Sequence, residues 1–240
     1  MSTPKRFFLS NLNSATEVYL EGEEFIHAKT VLRVEEGSEI TLLDGTGKEY
    51  SAIVAKIEKH RLLAHITGAI QSDKEPKEYI YLLCGALKGD KTELVVQKAV
   101  ELGVSKIGIF NSEYCSAFIN QNKLERLNKV SREAAKQCLR ACSPEVVYFD
   151  SFSEALSSAK DCKNKLFACE FLDNSRGDML EITGSTAVVV GSEGGFSEQE
   201  FELSERLGFT GISLGKRILR AETAAIVMCT LAAYALGELR

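Results

Sequence analysis

Two short stretches of the 240-residue chain gather glycine and charge where chemistry can be done. In residues 187–200, AVVVGSEGGFSEQE, an apolar run leads into Gly191, Gly194 and Gly195 and then into a helix start. Glycine lets a backbone approach a ligand closely, and the free N–H groups ahead of a helix suit ligand oxygens. Ser197 and Glu200 have the spacing of a capping box, which specifies the helix onset. A tight strand-to-helix turn with no ligand has the same spacing, so both readings stand. A second glycine turn, ISLGKRILRAET over residues 212–223, again follows an apolar run and precedes a helix. Two such turns on neighbouring strands would converge on one crevice. Arg217 and Arg220 flank the second turn, with Ile218 and Leu219 between them too apolar for a solvated charge run. The rival reading is an arginine pair capping a dimer surface.

Other familiar sites fail on spacing. A dinucleotide fingerprint needs G-x-G-x-x-G after the first strand of its unit, and Gly85-Ala-Leu-Lys-Gly89 does not supply it. Residues 85–92, GALKGDKT, mimic a phosphate loop, but Asp90 stands where the second glycine must precede Lys91, and it would repel phosphate. Cys138 and Cys142 are about one helical turn apart, yet no second pair or nearby histidine completes four ligands. His27, His60 and His65 are not spaced for a metal either, so no metal site is expected. Seven cysteines, an odd and scattered set, read as free and mostly buried thiols.

These turns need strands and helices to hold them. The polar stretch QSDKEPKE at residues 71–78 separates two differently patterned regions. Before it, β-type runs at 39–43, 50–57 and 61–66, with turn residues at 44–47, predict a small β-barrel interrupted by a helix over 22–33. After it, strands at 79–87, 106–110, 145–149, 165–169, 186–190 and 211–214 alternate with helices at 92–102, 122–139, 153–159, after Ser197 and from Ala221. That alternation predicts a parallel α/β sheet. On the helix near Asn122, Arg126, Lys129, Arg132, Lys136 and Arg140 fall within roughly 120° of arc, a stripe suited to phosphate or to plain solvation. Lys5, Arg6, His27, Lys29 and Arg33 form a second basic group in the front region.

Composition limits the partners. At 45% hydrophobic and 26% charged residues the chain is globular rather than disordered or low-complexity. The net charge is −5, and neither the 9 basic and 12 acidic residues before Pro76 nor the 20 and 22 from there on make a basic domain. Any grip on nucleic acid must therefore come from local patches. No apolar run reaches the length of a membrane span. Residues 1–10 lack the apolar run and cleavage site of an export signal, so a cytoplasmic protein is expected.

The motifs taken in order resemble one family. Lys88-Gly89-Asp90-Lys91, Gln97-Lys98-Ala99, Glu101-Leu102-Gly103-Val104, GSEGGFSEQE and LGKRILRAETA look like the bacterial 16S rRNA uridine-N3 methyltransferases, of the SPOUT superfamily. Arg6-Phe7-Phe8 near the start and His27 with Val31-Leu32-Arg33 extend the resemblance over nearly the whole chain. It implies an N-terminal PUA-like RNA-binding β-barrel over residues 1–72 and a C-terminal SPOUT-type trefoil-knot domain, with a mostly parallel sheet, over 73–240. It also implies a homodimer that binds S-adenosylmethionine and acts on 16S rRNA or the assembled small ribosomal subunit. Serine at 192 and lysine at 216 replace prolines usual in that family, and Cys138-Leu139 replaces its serine-glycine pair.

Carried onto this chain, the resemblance implies cofactor contacts at Glu170, Val189, Gly191, Gly194, Gly195, Ser213, Leu214, Gly215, Ile218 and Leu219. Arg220 would stabilise charge on the target uracil, and Glu193 would serve as base or hold Arg220. RNA contacts are expected at Arg6, Arg33, Arg132, Arg140 and Arg217. The last helix carries Ala224, Ala225, Val227, Met228, Leu231, Ala232, Ala235 and Leu236, a wider apolar stripe than one sheet face requires, which points to the dimer. A non-catalytic RNA-binding or ribosome-assembly protein on the same fold is the alternative.

Overall fold

The computed structural model describes residues 4–169 and 181–239, and the chain divides into two compact units. The first comprises residues 1–75 with 135–143, the second 76–134 with 144–240.

The first unit holds β1 (Lys5–Phe8), β2 (Glu17–Leu20), α1 (Gly22–Ile26) running into a π-helical turn (His27–Val31), β3 (Glu39–Leu43), β4 (Lys48–Ile57) and β5 (Leu62–Gln71). The strands pair in the order β1-β3-β4-β5-β2. Alternation is clear in β4, where Tyr50, Ala52 and Val54 are buried and their neighbours face outward. Phe7, Leu20, Leu42, Val54, Leu62 and Ala64 from all five strands meet Phe25 and Ala28 in one apolar cluster, so the sheet curls around its core. Register shifts in the β4–β5 ladder at Ser51/Ala52 and Val54/Lys56 supply the bend. The expected barrel is thus a curled sheet whose outer strands, β1 and β2, do not pair with each other among the described residues.

The second unit holds β6 (Ile80–Gly85), α2 (Lys91–Glu101), β7 (Lys106–Phe110), α3 (Gln121–Gln137), β8 (Glu145–Phe149), α4 (Phe152–Ser158), β9 (Asn164–Ala168), β10 (Thr186–Val190), α5 (Glu198–Arg206), β11 (Thr210–Ile212) and α6 (Ala221–Ala235). The last turn of α3 clusters with the first unit. All six strands are parallel, in the order β11-β9-β10-β6-β7-β8. β6 and β10 are buried at every position, as central strands covered on both faces must be. On one face Phe110, Phe152, Phe167 and Phe196 build an aromatic core, with Phe167 and Phe196 centroids 4.3 Å apart. The other face receives α6, whose Ala225, Met228, Cys229 and Ala232 are buried and which packs on α2, β6 and β10.

Two sequence expectations change here. The glycine turns follow β10 and β11, which are not neighbours: β9 lies between them and pairs with both. The α3 helix ends at Gln137, and Leu139 takes a φ of +67°, so Arg140 leaves the helical stripe on which it was placed. Three cysteines are buried and four half-buried, and all seven are free thiols. Among the described residues no helix is long and apolar enough to cross a membrane.

Candidate functional site

In an open parallel sheet ligands gather beyond the carboxyl ends of the strands, where the chain order reverses on either side of a central strand. Here β6 leads to β7 and β8 on one side, while β10 and β9 lie on the other. A cleft of about 680 Å³ opens at that end. Its walls come from the ends of β9 and β10, the Gly191–Phe196 turn, the whole segment from Ser213 to Arg220, and Ala221 and Ala224 of α6. The volume lies in the usual range for a small-molecule site.

The first wall is fixed by close packing. Ser197 accepts a bond from the Glu200 N–H and Glu200 Oε2 accepts one from the Ser197 N–H, so the capping box is complete. Glu200 Oε1 also accepts from the Glu113 N–H at 2.8 Å, which ties the loop after β7 to the same helix start. The Gly195 N–H bonds the Ser192 carbonyl at 3.0 Å, closing a turn in which Gly195 has a φ of +70°. The other glycines serve close packing inside the protein. A Cβ on Gly191 would lie 3.0 Å from the Phe196 ring, and one on Gly194 only 2.6 Å from Tyr114 Cβ.

The second wall is more open. Gly215 has a φ of +99° and donates its N–H to Ser213 Oγ at 3.4 Å, so this turn needs glycine for its conformation. Lys216, Arg217, Ile218 and Arg220 are exposed, Ile218 at 86%, while Leu214 and Leu219 are half-buried. Arg220 is the N-cap residue of α6: its carbonyl accepts the Ala224 N–H at 2.8 Å, and its side chain makes no cap bond. A guanidinium at the positive end of a helix dipole is disfavoured unless an anion joins it. No ion pair ties Arg220 to a carboxylate among the described residues.

Glu193 has a different partner from the one expected. Its Oε1 accepts from Lys91 Nζ at 3.0 Å and from the Lys88 N–H at 3.2 Å. Burial pushes the carboxyl up, but the Lys91 bond, backbone N–H bonds and the Lys91 charge outweigh it and hold Glu193 below the usual carboxylate range. A depressed carboxylate is a weak base. Lys91 Nζ also lies 3.6 Å from Glu222 Oε2, so it bridges two carboxylates.

The cleft therefore collects Gly191, Gly194, Gly195, Ser213, Leu214, Gly215, Ile218, Leu219, Glu193, Arg217 and Arg220. Val189 is not part of it: it is 0% exposed in the aromatic core, one residue before the strand reaches the cleft. Glu170 lies outside the described residues. Lys91, Ser192 and Phe196 line the cleft as well, and sequence reasoning missed them. All three lie in motifs of the resemblance, Lys91 in KGDK and Ser192 and Phe196 in GSEGGFSEQE, without having been assigned to the site. Two of the expected RNA contacts turn inward. Arg6 bonds Glu49 at 2.9 Å and the Leu139 carbonyl at 3.2 Å, with 9% of its side chain exposed. Arg140, 4% exposed, bonds Glu75 at 3.0 Å. Burial and carboxylate pairing remove both from any RNA surface. On α3, Lys136 bonds Glu24, Lys123 and Arg126 bond Glu93, and Lys129 and Arg132 are exposed. Arg33 is exposed. No His/Cys/Asp/Glu group among the described residues is arranged to hold a metal.

A domain model described as "RNA methyltransferase domain" matches residues 73–233, and a second, "RNA methyltransferase PUA domain", matches residues 20–67. The chain belongs to this RNA methyltransferase family. Among its relatives, a ribosomal RNA small subunit methyltransferase E from Rickettsia conorii is 32% identical over 226 residues, covering 90% of this chain and 89% of the relative. One from Mesomycoplasma hyopneumoniae is 35% identical over 170 residues, 70% of this chain and 74% of the relative. A crystal structure of a ribosomal RNA small subunit methyltransferase E from Neisseria gonorrhoeae, bound to S-adenosyl methionine, superposes with a TM-score of 0.88 at 32% identity over 98% of both chains. The family member described here thus has a SPOUT-type parallel sheet and a PUA-like N-terminal unit with a curled sheet.

The cleft also fits the cofactor that the sequence resemblance implies. Leu214, Leu219 and Val190 offer an apolar wall for a purine, and the turns offer backbone polar groups. One buried hydroxyl in its lining, Ser192 Oγ, has no hydrogen-bond partner among the described residues.

Proposed function

We propose that this chain transfers a methyl group from S-adenosylmethionine to N3 of a uridine in the 16S rRNA of the small ribosomal subunit. The observation that carries the reading is a cofactor-sized cleft lined by two glycine turns, with Arg220, which has no ion-pair partner among the described residues, at its rim. Bound S-adenosylmethionine supplies an electrophilic sulfonium methyl, which requires only a correctly placed nucleophile. The protein's task is then to position the reactants and exclude water. Gly191, Gly194, Gly195, Ser213 and Gly215 present backbone to the cofactor, and Leu214, Ile218 and Leu219 supply its apolar contacts.

Uridine N3 carries a proton at neutral pH, and losing it spreads negative charge over the two flanking carbonyl oxygens. Arg220 stabilises that charge, which is the anion its position at the helix end calls for. Glu193, held as an anion by Lys91, fixes the first turn against α2 in this reading and does not take the proton. Arg217 on the rim, with Arg33 and Arg132, contacts RNA phosphate. On α6, Ala224, Val227 and Leu231 remain half-buried after the sheet is covered, and this face pairs two chains as a homodimer. The enzyme works in the cytoplasm, where its ribosomal substrate is found.

Calorimetry with S-adenosylmethionine and mass spectrometry of 16S rRNA from cells lacking the gene test the reading together. Micromolar-range binding is expected, with loss of one N3-methyluridine that the wild-type gene restores. A folded chain that binds no cofactor, or an unchanged rRNA, would refute it in favour of a non-catalytic RNA-binding role. Light scattering should give a dimer, and a stable monomer at micromolar concentration would remove that part.

A further inference from the structure

The loop between β7 and α3, residues 111–120 (NSEYCSAFIN), carries two aromatic side chains that the fold leaves in solvent. Phe118 is 81% exposed and Tyr114 51%. One exposed apolar residue calls for no explanation, but two rings on one loop beside a ligand cleft do. Gly194, which lines the cleft, is so close to this loop that an added Cβ would lie 2.6 Å from Tyr114 Cβ. The Tyr114 side chain therefore starts out from the back of the first cleft wall.

The loop is pinned along its length. The Glu113 N–H bonds Glu200 at 2.8 Å, the Cys115 N–H bonds the Ser112 carbonyl at 3.0 Å, and the Cys115 thiol donates to the Ala86 carbonyl. Ile119 is buried, and Asn120 Oδ1 accepts the Lys123 N–H at 2.9 Å, capping the start of α3. Rings on so restrained a backbone are displayed before any partner arrives, which lowers the entropy lost on contact.

The surroundings select the partner. Glu113, Ser116 and Asn120 are exposed around the two rings, so they form no contiguous apolar area of the kind a protein interface needs at its centre. The loop's one charged residue is Glu113, an anion that repels phosphate. The exposed cations Lys216, Arg217 and Arg220 stand instead on the second cleft wall. A strand drawn there by its phosphates still has its bases to place, and an unpaired base needs only the face of a ring.

We infer that Tyr114 and Phe118 form a stacking platform for unpaired nucleobases of the RNA substrate, beside the nucleotide that enters the cleft. This rests on the function proposed above and names the residues that hold the RNA by its bases.

The test is filter binding of 16S rRNA taken from cells lacking the gene, with wild type, Tyr114→Ala, Phe118→Ala and the ring-keeping Phe118→Tyr. Each alanine variant should bind the RNA at least about fivefold more weakly, and Phe118→Tyr should bind close to wild type. The log–log salt slope should not change, because no phosphate contact is removed. Calorimetry should find S-adenosylmethionine affinity unchanged, and Phe118→Ala should melt within about 2 °C of wild type, as a change at an exposed site does. RNA affinity equal to wild type in both alanine variants would overturn the inference, as would no RNA binding by wild type or a Phe118→Tyr loss as large as that of Phe118→Ala. Alanine variants that become monomeric in light scattering would also overturn it, assigning the rings to a second copy of the chain. A wild-type protein that shows the ring-dependent RNA binding but transfers no methyl group would sink the proposed function and leave the platform standing.

Discussion

Gly194→Ala tests whether the first turn is shaped by packing inside the protein. The new Cβ would lie 2.6 Å from Tyr114 Cβ and 2.7 Å from the Tyr114 carbonyl oxygen. Neither atom is the end of a flexible side chain, so no rotamer change relieves the contact. Reaching an ordinary separation of 3.4 Å needs a displacement of about 0.8 Å. The Tyr114 loop cannot easily supply it, because Glu113 N–H is bonded to Glu200 and Cys115 Sγ to the Ala86 carbonyl. The turn must therefore shift instead, and it forms the cleft wall. Overpacking of this kind costs about 1–3 kcal/mol, or about 2–12 °C in melting temperature for a unit of this size. A wall displaced by nearly an ångström should also reduce turnover by up to about 10²-fold. Gly68→Ala is the control: nothing lies within 4 Å of its added Cβ and its φ is not positive, so the change should stay within about 1 kcal/mol of wild type. Thermal melting and single-turnover methylation on both variants decide the matter. A Gly194→Ala protein that melts and turns over like wild type would refute the packing argument.

Arg220→Ala should leave cofactor affinity and melting temperature near wild type and lower single-turnover methylation by about 10²-fold or more. A fall in stability or dimerisation with turnover preserved would make the residue structural. Arg6→Ala should destabilise the first unit by about 3 kcal/mol, because it strands the half-enclosed Glu49, while RNA affinity of the folded fraction stays unchanged. Burial raises the Glu49 carboxyl, but bonds from Arg6 and Ser72 and the Arg6 charge bring it below the usual carboxylate range. Its stabilisation is accordingly complete above about pH 4.5 and lost as the pH falls through the depressed value, a loss that acid titration should find reduced in Arg6→Ala, where only the Ser72 bond remains. RNA binding should weaken with salt, and Arg217→Ala should reduce the log–log slope by about 0.7 if it meets one phosphate of a single strand; an unchanged slope would exclude that contact.

Periodicity carried the repeated elements of this fold into view and left the brief or non-local ones hidden. β3, β7, β8 and β10 run between the same residues that apolar runs mark in the sequence. β1 and β2 escape notice because KRFF and EVYL, four residues each, are too short for a periodic signal. Strand order is a tertiary fact, so the placement of β9 between the two glycine-turn strands could not be read from one dimension. The same holds for charge. Arg6 and Arg140 look like RNA ligands because the carboxylates that neutralise them, Glu49 and Glu75, lie 43 and 65 residues away. Three glycines within five residues pointed to the right turn for an incomplete reason: two of them leave room for Phe196 and Tyr114.

The distribution of charge around the cleft reconciles an acidic chain with an anionic substrate. Lys91 is half-buried, and Glu193 and Glu222 both oppose it, so it offers no net attraction to phosphate. Lys216, Arg217 and Arg220 are exposed and lie within five consecutive residues on the far wall. Around the cleft, positive charge is thus gathered on one rim, which ends in Arg220. Screening within about 10 Å at ordinary salt means the remaining acidic surface contributes little there. A short cationic lip can therefore orient an incoming strand although the whole protein carries a net charge of −5. The Lys91, Glu193 and Glu222 group, one cation against two carboxylates, adds nothing to that attraction.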